Sequence, residues 1–249
     1  MQLRYITCSD PREHNPISEI IELGAMPKAE IAVQCHPSKM SAGMPRNVWF
    51  NDLLHVAYSI PTLNLAIHIN KDWADDICTK GKIPDVLAEW IYARNCQGNP
   101  TIKRIQLNMP SETAQNINPT ALARLIRVLP RREFILQYNN NTKTAVEKLH
   151  KTGAQFSLLF DASGGRGKAP SAWQKPIYET HPMGYSGGLS PDNVVHNLRQ
   201  ISALVGNTPI WIDAEHRLQS NNLFDNKERF DTQLARLYLE RANNWENIR

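Results

Sequence analysis

The chain has 249 residues, 41% of them hydrophobic and 21% charged, with a formal net charge of +4 at pH 7. That length suits one large domain with its own core, and the small positive excess is spread too evenly to mark a nucleic-acid surface. The four cysteines (Cys8, Cys35, Cys78, Cys96) form no C-x-x-C pair, so neither a disulfide framework nor a metal site is expected. The start, Met1–Tyr5, lacks the apolar core of a signal peptide, and no apolar run is long enough to span a bilayer. The expectation is a cytoplasmic protein with no membrane and no nucleic-acid partner.

Short apolar runs alternate with helical patterns from end to end. The strand candidates are Leu3–Ser9, Glu30–His36, Leu63–Asn70, Ile102–Met109, Glu133–Tyr138, Phe156–Asp161, Met183–Ser186 and Pro209–Asp213. Most lack a polar face, as parallel strands buried on both sides do. Pro16–Leu23 reads as a helix with Asn15 as N-cap and Gly24 as stop, and Val48–Tyr58 as the next. Trp73–Arg94 is broken by Gly81 and Pro84 into two helices. Thr120–Leu129, Thr144–Lys151, Pro191–Leu204 and Lys227–Ala242 follow later strands, with Pro191 suited to a first helical turn. Gly167–Thr180 carries Pro170 and Pro176 and reads as irregular, while Pro37–Pro45 and Lys71–Pro100 are elaborations. Strands alternating with helices in this number predict a single (β/α)8 TIM barrel over residues 1–249.

Two stretches carry the chemistry. Leu158-Leu159-Phe160-Asp161 runs into the turn Gly164-Gly165-Arg166-Gly167-Lys168, delivering a carboxylate to a strand end. Ser186-Gly187-Gly188-Leu189-Ser190-Pro191 leads from a strand into a helix, where backbone N–H groups suit an anion. Both would sit on the face where barrel active sites form. Each has a plainer reading: Asp161 as a cap for its own turn, and the glycine pairs as the price of tight loops. Cys35-His36 has no partner at ligand spacing and reads as structural, whereas His216 lies where it could serve acid–base work.

These residues resemble phosphoribosylanthranilate isomerase, whose L-L-D, G-G-T-G-K and tryptophan are matched by Leu158–Asp161, Gly164–Lys168 and Trp173. The family's A-G-G-L-x-P-x-N-V is matched by Ser186–Val194, and its V-D-V by Ile212-Asp213-Ala214. Weaker echoes are Pro45-Arg46-Asn47-Val48, Gln106-Leu107-Asn108 and Cys8. The resemblance implies an aldose–ketose isomerase of tryptophan biosynthesis, working by an Amadori rearrangement with no cofactor. It implies Cys8 as base and Asp161 as acid, with Arg46 on a substrate carboxylate. It also implies that Gly164, Gly165, Gly187, Gly188 and Asp213 bind a small anionic substrate, a sugar phosphate, in a monomer or homodimer.

The chain departs from the pattern at Asp213-Ala214-Glu215-His216-Arg217, where the family has D-V-S-S-G. A carboxylate at Glu215 would repel a phosphate unless it turns away or pairs with Arg217. That departure keeps two alternatives open: a related barrel enzyme acting on another phosphorylated or carboxylated molecule, and a non-catalytic relative that binds a metabolite.

Overall fold

A computed structural model describes residues 1–247 except 163, 165 and 223–225. Eight parallel strands close into a barrel in chain order: β1 (Gln2–Ser9), β2 (Ala29–Cys35), β3 (Leu65–Ile69), β4 (Ile102–Leu107), β5 (Glu133–Tyr138), β6 (Ser157–Phe160), β7 (Met183–Ser186) and β8 (Pro209–Ala214). β8 closes on β1 through pairs such as Thr7 with Asp213. All eight predicted strands are present, including the short seventh. A two-stranded antiparallel ribbon, β9 (Gln219–Asn221) with β10 (Glu228–Phe230), was not foreseen.

The helices are α1 (Ile17–Gly24), α2 (Pro37–Met40), α3 (Pro45–Tyr58), α4 (Lys71–Asp75), α5 (Asp85–Tyr92), α6 (Ser111–Gln115), α7 (Pro119–Val128), α8 (Lys143–His150), α9 (Val194–Val205) and α10 (Thr232–Asn243). Local chemistry sets several of their starts. Pro45 and Pro119 occupy first turns, where a missing N–H costs nothing, and Asn118 and Asp231 cap α7 and α10 by accepting backbone N–H bonds. α4 runs on into a π-helical turn over Asp76–Lys80 before the break at Gly81. Among the described residues no helix separates β6 from β7, as the prolines predict. That segment is anchored by Trp173, whose Nε1 donates to Asn197 Oδ1 at 3.1 Å and whose ring meets Phe160 and Tyr185 edge-on.

Some details differ from expectation. Asn15 does not cap α1; its side chain accepts from Arg12 N and donates to Phe230 O, tying the loop after β1 to β10. Gly24 is the last residue of α1, and a Cβ there would stand 2.2 Å from Leu63 Cδ1, so close packing favours glycine at this position. Pro191 lies in a turn ahead of α9, and Lys227–Ala242 divides into β10 and α10.

Two apolar layers result. One lies between the barrel and its helices, and a smaller one, Ile135, Leu159, Trp211 and Tyr5, fills the barrel itself. Gly184 makes room for the Trp211 indole, since a Cβ would fall 2.1 Å from Cε2. Inside the barrel Arg104 lies 4.2 Å from the Trp211 ring and 4.7 Å from the Tyr5 ring, and it pairs with Glu30 at 2.7 Å. Glu30 also accepts from Thr7 Oγ1 at 2.7 Å. Pairing with Glu30 offsets much of the cost of burying the Arg104 charge this deeply.

Candidate active site

At the C-terminal ends of the strands the barrel opens into a cavity of about 330 Å³. Three carboxyls line it, Asp161 after β6, Asp213 on β8 and Glu215 beyond β8. Much of the remaining wall is side-chain amide: Gln34, Asn70, Gln106, Asn108 and Gln137. Every second residue of a strand faces inward, so these amides mark the inward set of β2 to β5 near their ends.

Each carboxyl is oriented by a neutral donor. Ser9 Oγ donates to Asp213 Oδ1 at 2.6 Å, Gln34 Nε2 to Glu215 Oε2 at 2.9 Å, and Gln137 Nε2 to Asp161 Oδ2 at 3.4 Å. Burial raises Asp213 to about 7; its Ser9 bond works against this, while Glu30 and Asp161 add repulsion. Burial, then Asp10 and Asp213, raises Glu215 to about 8 against the opposing effects of Arg12 and Gln34. Both groups therefore titrate near neutrality, the range that suits proton transfer.

The amides form a directed chain. Gln106 Nε2 donates to Asn108 Oδ1 at 2.9 Å, Asn108 Nδ2 to Asn70 Oδ1 at 3.0 Å, and Asn70 Nδ2 to Gln34 Oε1 at 2.7 Å. Gln34 passes the sequence on to Glu215. His68 lies beneath this chain, pushed down to about 3 by burial and by Arg104, so its ring is neutral. Lys71, at the edge of the cavity, holds φ +56, a left-handed conformation that is costly for a side chain with a Cβ.

The predicted site residues divide. Asp161, Gly164, Gly187, Gly188 and Asp213 all line the cavity. Gly165 lies outside the described residues. Gly187 and Gly188 adopt φ +123 and +64, and a Cβ on them would press on Lys168 O at 2.8 Å and Ala169 N at 2.9 Å. Glycine is thus required there by backbone shape and by the strap that crosses the turn.

Cys8 is elsewhere. Its neighbours Thr7 and Ser9 face the barrel interior, bonding Glu30 and Asp213, so Cys8 points the other way into the apolar layer under the helices. It is fully buried, and that burial, followed by Asp213 and Glu30, drives the thiol far from ionisation. The base role implied for Cys8 has no geometry to support it. Arg46 also stands apart: at the start of α3 it is buried, with Nη1 3.3 Å from Asp10 Oδ1 and Nε 3.2 Å from Glu13 Oε2. Its guanidinium fork is taken by the chain's own carboxylates. Arg12 contacts the same Asp10.

Glu215 and the amide chain are what the motifs missed. The carboxyl of Glu215 reaches across β1 to Gln34 on β2, away from the Gly187–Gly188 turn on the far side of β8. Its nearest contact with His216, Nδ1 to Oε1, is 3.9 Å. Among the described residues no group of three or more His, Cys, Asp or Glu side chains is arranged to hold a metal ion, and no helix is long and apolar enough to cross a membrane.

No protein-family model matches this chain, and no curated protein matches it. Solved structures similar to it include 3-hexulose-6-phosphate synthase from Salmonella typhimurium, at 11% identity over 97% of this chain and 99% of that one, with a TM-score of 0.49. The HMG-CoA lyase from Brucella melitensis matches at 12% identity over 99% and 98% of the two chains, with a TM-score of 0.43. A GH113 beta-1,4-mannanase matches at 10% identity over 96% and 99%, with a TM-score of 0.41. The closed parallel barrel stands on its own strand order.

Proposed function

We propose that this barrel is an acid–base enzyme acting on a small, hydroxyl-bearing anionic molecule, in the manner of an aldose–ketose isomerase. The observation that carries the reading is the convergence of Asp161, Asp213 and Glu215 on one amide-lined cavity.

Isomerisation of this kind needs an acid and a base on opposite sides of the substrate. The acid protonates the oxygen on carbon 1 and the base takes the proton from carbon 2. The resulting enediol, or its amine counterpart, becomes the ketose when carbon 1 regains a proton and the carbon 2 hydroxyl gives one up. Glu215 is held over β2 and Asp161 follows β6, which lies four strands away in the closed order and so across the mouth. Raised to about 8, Glu215 enters with its proton and is the acid. Asp161 is then the base, the reverse of the role that the sequence resemblance implies. Asp213 and the amides hydrogen-bond the substrate hydroxyls. The Gly187–Gly188 turn receives the anionic group, with Arg217, beyond the neighbouring β8, supplying positive charge at the rim.

Phosphoribosylanthranilate is the first substrate to try, followed by a panel of aldose phosphates in D2O. The readouts are loss of anthranilate fluorescence and exchange of the carbon 2 proton seen by NMR. Turnover or exchange should disappear in Asp161→Asn and Glu215→Gln and persist in Cys8→Ala. Ligand-induced stabilisation without exchange would favour the binding-only alternative, and loss in Cys8→Ala with the fold intact would overturn the assignment.

A further inference from the structure

The opposite end of the barrel holds a second cavity, of about 780 Å³, where β4, β5 and β6 begin. Its volume falls in the range of small-molecule sites. Among the described residues six cationic side chains line it, Arg4, Lys103, Arg104, Arg127, Arg131 and Arg132, against one acidic side chain, Glu133, with Glu30 paired to Arg104 from inside the barrel. The whole chain carries a formal charge of only +4, so this end holds a concentrated share of its positive charge.

That single carboxylate is already engaged. Burial alone would raise Glu133, but Arg104 and the Ser157 hydroxyl, together with Arg4, hold it below its usual range. Its partners lie close, with Arg104 Nε at 3.2 Å and Arg4 Nη2 at 3.4 Å. Arg127 donates to Thr152 O at 2.7 Å, and Lys103 to Pro61 O and Asn64 Oδ1 at 3.1 and 3.0 Å; these acceptors are neutral, and Lys103 also feels the attraction of Glu30.

Two of the lining guanidiniums are more than nine-tenths buried, Arg104 and Arg132, and each keeps N–H donors without an acceptor: Nη2 of Arg104, and Nε and Nη2 of Arg132. Arg132 stacks 6.0 Å from the Tyr92 ring; burial and the nearby Arg94 both disfavour its charge. Buried guanidinium donors are expensive to leave unmet. The rest of the wall is mostly apolar, built from Ile126, Pro130, Ala154, Phe156 and Pro182 with Tyr5 at the barrel end, and Gln155 and Ser157 add polar groups.

We propose that this cavity is a binding site for an organic phosphate, a molecule with a phosphate or diphosphate group on an apolar or flat body. The arginines recognise the phosphate oxygens, for which their planar forks are suited, and the apolar wall takes the body. The site lies at the end of the barrel remote from the mouth, and it does not depend on the isomerase reading.

The test is calorimetric titration of the full chain with ADP, inorganic pyrophosphate and adenosine, at low and moderate salt. ADP is expected to bind saturably, more tightly than either fragment and more weakly as salt rises. Arg131 is exposed, so Arg131→Gln leaves the core intact and should weaken ADP by about tenfold, the scale of one charge-assisted contact. Glu215→Gln, at the mouth, should leave ADP affinity unchanged. No saturable ADP binding below about 1 mM would overturn the proposal. So would binding that is insensitive to Arg131→Gln, or lost in Glu215→Gln. Pyrophosphate binding as tightly as ADP would overturn the part assigned to the apolar wall.

Discussion

Replacing Asp213 by Asn should make the protein more stable at mildly alkaline pH and leave it nearly unchanged in acid. Asp213 is buried on β8 and titrates at about 7 in the folded chain against an ordinary value of 3.8. Between those two values the unfolded chain loses this proton while the folded chain keeps it. The unfolded state is therefore favoured progressively as pH rises from about 4 to 7, and the loss persists above that. At about 1.4 kcal/mol for each pH unit, the full linkage is about 4 kcal/mol, and water at the open mouth trims it to about 2–4 kcal/mol. The amide oxygen of Asn accepts the Ser9 bond, 2.6 Å long to Asp213 in the wild type, without carrying a charge. Urea unfolding of both proteins at pH 4.5 and pH 8, at constant ionic strength, isolates the effect as the difference between their midpoints. An Asn variant less stable at pH 8, or two parallel pH curves, would refute the claim that Asp213 is destabilised by its setting.

Other substitutions probe the packed layers and the buried histidine. Cys8→Ala should cost about 1–2 kcal/mol in chemical unfolding, as a small vacancy in a packed layer, and leave any turnover untouched. Gly184→Ala forces a methyl group against the Trp211 ring and should cost about 2–3 kcal/mol, visible as a lowered melting temperature; an unchanged one would mean that the ring is free to move. His68 is buried neutral at about 3, so the unfolded chain gains a proton first as pH falls below 6.5 and stability drops there. His68→Gln should flatten that acid limb by about 2–3 kcal/mol at pH 4, read from urea midpoints.

The alternation of apolar runs and helical patterns was enough to define the closed barrel, because parallel strands covered on both faces must be apolar along most of their length. The prolines after β6 likewise exclude a helix by removing N–H donors and restricting φ. The strand-end carboxylates Asp161 and Asp213 and the Gly187–Gly188 turn were also legible, since each ends an apolar run in residues that a core would not choose. Cys8 marks the limit. In a strand buried on both sides, nothing in the order of residues tells inward from outward, and a shift of one position moves every side chain to the other face. Only the closure of β8 on β1, pairing Thr7 with Asp213, decides that Ser9 faces the mouth and Cys8 the helices. Glu215 depends on the same closure: its partner Gln34 is far away in sequence, and the two meet because β2 stands beside β1 in the ring. The cationic cavity at the other end is tertiary in origin as well, since Arg4, Arg104 and Arg131 come together only where β1, β4 and the start of β5 share one end of the barrel.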